Sequence, residues 1–70
     1  MNKLTEHEVN AVVSLAQKMK EEIPYYRKGQ SLFIALSILH PDIADSIRAT
    51  QLDPFYQDEK IEECIAEISC

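Results

Sequence analysis

Three prolines decide where helices can run in this chain of 70 residues. Pro24, Pro41 and Pro54 each push the residue before them out of helical geometry. A second punctuator stands near each: Gly29 after the first, His40 and Asp42 around the second, Asp53 before the third. The stretches between the breaks have helix length. With one Gly in the whole chain and few turn residues, helices are favoured over sheets. The expected fold is all-α, one domain over residues 1–70, a compact bundle of three main helices plus one short helix.

The first helix is expected over Thr5 to Ile23. Thr5 and Glu8 form a Thr-x-x-Glu capping box, and Leu4 and Val9 stand at the staple positions around it. Glu6 and Glu8 lie in the first turn, where the helix dipole favours anions. Val9, Val12, Val13, Ala16, Met19 and Ile23 make one apolar stripe of 3.6 period, with Leu15 flanking it.

Residues 27–56 form the centre of the sequence and hold the densest aliphatic run. Pro24 to Lys28 reads as a connector, and Gly29 as a backbone position free of side-chain constraint. A second helix follows over Gln30 to Leu39. Leu32, Phe33, Leu36 and Leu39 are its expected core face, widened by Ile34 and Ile38. A helix this apolar all round is central or covered by a second subunit. Pro41 and Asp42 start a third helix, to Arg48, with Ile43, Ala44 and Ile47 inward. Asp53-Pro54-Phe55-Tyr56 reads as one tight turn, with Phe55 and Tyr56 as a plug between helices 1, 2 and 4. Arg48 is placed to pair with Asp53 or Asp58. Asp58 is expected to cap the last helix, Glu59 to Ile68, with Ile61, Cys64, Ile65 and Ile68 inward.

Charge is unevenly spread over a net −5. Residues 1–41 carry five basic and four acidic side chains, +1; residues 42–70 carry two basic and eight acidic, −6. Phosphate backbones need cations to replace their counterions, so direct nucleic-acid binding by the acidic half is disfavoured. A basic partner surface suits it. No apolar run reaches a membrane span of roughly 18 residues, and the first six residues lack a leader pattern. A cytoplasmic location with reduced thiols is expected. For so small a core, self-association is the added support that size suggests.

Motifs for chemistry are scarce. His7 and His40 have no further ligands at metal spacing, and His40 suits a capping role. Cys64 lies on an apolar stripe and reads as a buried structural thiol; Cys70 is terminal and exposed. Ser31, Ser37 and Ser46 lack a motif that activates a nucleophile. No catalytic residue, metal or cofactor is assigned. The one polar–aromatic cluster is Tyr25, Tyr26, Arg27, Lys28 and Gln30, just before a helix N-terminus. It reads as a protein hot spot or a small anionic ligand site. The plainer reading packs both tyrosine rings on helices 3 and 4, with the cations offsetting the acidic last helix. Asp58, Glu59, Glu62, Glu63 and Glu67 make an acidic face. It reads as a solvated surface or as a contact for a basic partner.

Gly29-Gln30, Leu32-Phe33, Leu36, Leu39, Pro41-Asp42, Ala44, Ile47-Arg48, Thr50 and Leu52-Asp53-Pro54-Phe55-Tyr56 resemble small uncharacterised proteins common in phages and prophages. The resemblance covers residues 27–56, and Asp-Pro-Phe-Tyr is its most specific part. It implies origin and a fold signature, with no ligand or catalytic residue to carry over. The expected function is therefore non-catalytic: a phage- or prophage-type accessory protein that binds a host macromolecule, with the acidic surface as a decoy. The alternatives are an oligomer that sequesters a small nucleotide signal at the Tyr25–Gln30 cluster, and a structural or regulatory oligomer.

Overall fold

The computed structural model describes residues 3–70; Met1 and Asn2, the start of the stretch read for a leader pattern, lie outside them. Among the described residues are four α-helices: α1 (Glu6–Glu22), α2 (Lys28–Leu39), α3 (Pro41–Ile47) and α4 (Ile61–Ile68). A single 3₁₀ turn, Asp58–Lys60, leads into α4. The protein is a small all-α bundle.

α1 begins as its sequence dictates. Thr5 Oγ1 accepts from the Glu8 N–H at 3.2 Å, and Glu8 Oε1 accepts from the Thr5 N–H at 2.9 Å. Both staple residues, Leu4 and Val9, are buried. Val9, Val12 and Ala16 turn into the core, and Val13, Leu15 and Met19 pack on its edge. The helix stops at Ile23, whose N–H still reaches the Met19 carbonyl at 2.8 Å.

α2 starts two residues earlier than expected, and this changes the meaning of Gly29. The glycine lies inside the first helical turn with ordinary negative φ. Its missing side chain is used for close packing: a Cβ there would run into the Pro54 carbonyl oxygen. The core face also shifts. Ser31, Leu32, Phe33, Ala35 and Leu36 are buried, while Leu39 is 42% and Ile38 61% exposed. Leu39 is thus not a core residue, because α2 is apolar on every side and its periodicity marks no face. α2 is the central helix, packed on α1, α3 and the 3₁₀ turn.

His40 caps both neighbouring helices through its backbone alone. Its N–H donates to Leu36 O at 2.7 Å, and its carbonyl accepts from Ile43 and Ala44, each at 3.1 Å. No side-chain hydrogen bond caps either helix there. Ile43, Ala44 and Ile47 are buried as their spacing requires.

The segment after α3 is held by Asp53. Its Oδ2 accepts from the Ala49 N–H at 2.7 Å and its Oδ1 from the Phe55 N–H at 2.9 Å. Ala49 is left-handed, φ 60°, a conformation unusual for a side chain with a Cβ. The Gln57 N–H closes the expected tight turn on Pro54 O at 3.1 Å. Two expectations fail here. Both Asp53 oxygens are turned to backbone N–H groups, and Arg48 pairs instead with Asp45 on its own helix side at 3.2 Å and lies 5.1 Å from the Phe33 ring centroid. Only half of the plug forms: Phe55 meets Phe33 edge-on at 6.0 Å, whereas Tyr56 is 76% exposed beside it.

On α4, Cys64 and Ile68 are fully buried and Ile61 and Ile65 half-buried. The two chain ends are stitched together. Leu4 N–H donates to Ile68 O at 2.7 Å and Cys70 N–H to Leu4 O at 2.8 Å, which fastens α4 beside the start of α1.

Candidate functional site

The Tyr25–Gln30 cluster is a fixed turn. Tyr26 N–H bonds Ile23 O at 3.0 Å, and Lys20 Nζ donates to Tyr26 O at 2.8 Å and to Pro24 O at 3.4 Å. Tyr25 is 84% exposed, with its ring edge-on to Tyr26 at 5.4 Å. The packing of both tyrosines on helices 3 and 4 is not found, because the lysine-locked carbonyls turn Tyr25 outward. Tyr26 is half-buried. Gln30 Oε1 accepts from the Arg27 N–H at 3.3 Å and so serves the start of its own helix.

The anion position at the start of α2 is already taken. Asp58 Oδ1 accepts from the Gly29 N–H at 3.0 Å and stands 3.9 Å from Arg27 Nε. A carboxylate at a helix N-terminus answers both the free N–H groups and the dipole. Asp58 therefore caps α2, 29 residues back along the chain, and not α4 as expected. It sits where a small external anion would bind, and it leaves the acidic face.

That face now consists of Glu59, Glu62, Glu63 and Glu67, all exposed. Glu63 lies 3.6 Å from Lys60 Nζ and Glu67 3.9 Å from Lys3 Nζ. Exposed pairs of this kind contribute about 0–1 kcal/mol. Glu62 and Glu63 stand in the first turn of α4, where the dipole favours them. Glu67 is in the last turn, where it does not.

The sequence reading missed a groove between α1 and α4, a cavity of about 550 Å³ bounded by Val13, Lys20, Lys28, Ser31, Ile61 and Ile65 among others. Ser31, weighed only as a nucleophile, is 1% exposed, and its hydroxyl has no hydrogen-bond partner among the described residues. A serine inside an aliphatic run was the available signal. The Cys64 thiol is pushed up to about 11 by burial and by the nearby Asp53 charge, so it is a poor nucleophile. Among the described residues no group of three or more His, Cys, Asp or Glu is placed to hold a metal, and no helix is long and apolar enough to cross a membrane. No family model, curated protein or solved structure matches the chain.

Proposed function

We propose that the protein is a non-catalytic accessory protein of phage or prophage type. It acts in the bacterial cytoplasm by presenting the outer face of α4 to a basic site on a host macromolecule. The supporting observation is the placement of Glu62, Glu63 and Glu67 on an exposed helix face in the acidic half of the chain. Glu63 and Glu67 are four residues apart, so they are adjacent on the helix and repel by a few tenths of a kcal/mol. Glu67 also opposes the dipole at its end of α4. Fold stability gains little from this arrangement; a cationic partner relieves it. Proteins captured from bacterial lysate on the wild type are compared with those captured on Glu62→Lys/Glu63→Lys/Glu67→Lys. A partner held by the wild type and lost from the triple variant is expected. Unchanged capture would show that the acidic face is not the contact.

A second reading, a self-assembling structural or regulatory oligomer, is favoured by Ile38 and Leu39, which α2 leaves open. Native mass spectrometry tests it: a defined oligomer that Ile38→Glu dissociates supports it, and a monomer at working concentration rejects it.

A further inference from the structure

The groove between α1 and α4 combines three features that the fold does not explain. Its walls are aliphatic: Val13 from α1, and Ile61 and Ile65 from α4, all half-buried, packed on the core on one side and lining the groove on the other. The Ser31 hydroxyl is buried without a partner, a rarity in folded chains because such a group loses its water for nothing. At the edge, Lys28 is exposed and its ammonium group has no ion pair or hydrogen bond among the described residues. Lys20 stands nearby, pinned by the Pro24 and Tyr26 carbonyls, with one of its three N–H bonds to spare. Glu21 is the one carboxylate on this lining, against the two ammonium groups.

Lys28 and Ser31 are three residues apart on α2 and so are neighbours on one side of the helix. Ile61 and Ile65, four apart, form one row on α4. Of these residues, α2 supplies only polar groups to the lining and α4 only aliphatic ones, while α1 supplies Val13 to the wall and Lys20 to the polar end. We propose that the groove binds an anionic amphiphile, an unbranched aliphatic carboxylate of medium length. Its chain lies on Val13, Ile61 and Ile65. Its carboxylate accepts from Lys28 and the free Lys20 N–H at the mouth, and from the Ser31 hydroxyl, which is closed to solvent in the free protein, once the groove opens around the ligand. Glu63 and Glu67 project from the opposite side of α4 by helical spacing, while Glu62, three residues from Ile65, stands at the flank of the groove; the Glu63 and Glu67 part of the acidic face is separate from this site and either can fail alone.

Isothermal titration of the full chain with decanoate, below the concentration at which it forms micelles, tests the proposal, with 1-decanol as the uncharged control. One saturable site per chain is expected for decanoate and weaker binding for decanol. Lys28→Gln and Ser31→Ala should each weaken decanoate binding about tenfold, the worth of one hydrogen bond to a charged group. Ser31→Ala should at the same time raise the thermal midpoint of the free protein, because it removes an orphaned hydroxyl. A purely structural serine would shift the midpoint and leave the affinity alone. Absence of saturable decanoate binding overturns the proposal. So does equal binding of decanol with Lys28→Gln behaving as wild type. A dimer in sedimentation that closes the groove against decanoate also overturns it.

Discussion

Gly29→Ala reverses the effect that helix propensity alone would give. In an open helix the change stabilises by up to about 1 kcal/mol, since glycine loses the most backbone freedom on folding. Here the new methyl group meets the carbonyl oxygen of Pro54, which is backbone and fully buried, and lies 3.2 Å from Asp58 Oδ1. No flexible side chain can give way. The turn at Pro54 has to move, and forced overpacking of this kind costs about 1–3 kcal/mol. The movement also pulls on the Asp58 cap of α2, whose loss costs a further ~1 kcal/mol. With the propensity gain set against them, the net is a loss of about 1–3 kcal/mol, or roughly 4–20 °C in the thermal midpoint of a domain this size. Urea and thermal unfolding followed by circular dichroism measure it. Asp58→Ala alone should cost about 1 kcal/mol. The double variant should cost less than the two together, because both changes act on one contact. If Gly29→Ala is neutral or stabilising, the close approach of α2 to the Pro54 turn is wrong.

Other outcomes follow from the same structure. Ser31→Ala should stabilise the free protein by about 1–2 kcal/mol, from removal of an unsatisfied hydroxyl and better helix propensity; a loss on urea titration would mean that the hydroxyl has a partner. Phe55→Ala should cost about 2 kcal/mol for its half-buried ring, whereas Tyr56→Ser should stay within about 0.5 kcal/mol, and equal costs would put both rings in the core. Under native conditions a thiol reagent should label Cys70 and leave Cys64 until the chain unfolds, since Cys64 is buried and its pKa raised. The raised Cys64 value makes its contribution to stability complete below the ordinary thiol value of 9.0 and lost as pH rises toward about 11; Cys64→Ala should flatten that part of the stability profile. The Glu8 carboxyl is held below its ordinary value, first by the Thr5 backbone N–H, so its contribution is present above the ordinary carboxylate range and is lost as pH falls. Glu8→Gln should lose less stability on acidification than the wild type; identical acid profiles would show that the capping box does not depend on the charge.

Local chemistry made much of the fold legible. The box at Thr5 and Glu8, the stop at Ile23 and the inward set Ile43, Ala44 and Ile47 each depend on residues within one or two turns. The acidic outer face of α4 was equally readable from spacing, apart from Asp58. α2 was not, because a helix apolar on all sides gives its period no direction; only its neighbours decide that Ala35 is buried and Leu39 is not. The occupant of the α2 start was not readable either. Arg27, Lys28 and the tyrosines do surround a helix start, but the carboxylate that occupies it comes from a distant part of the chain.

The sequence by itself determined that there are helices, the Thr5–Glu8 cap of α1, the breaks between helices and the charge split, because propensity, local capping and dipole effects act over a few residues. Only the tertiary structure decided the rest. It brought Asp58 to the N-terminus of α2, made Gly29 a packing requirement, turned Tyr25 and Tyr56 outward, and opened a groove over an unpartnered Ser31. Each of these depends on which surfaces meet when α2 is surrounded, and contacts between segments far apart in the chain leave no period or spacing to read.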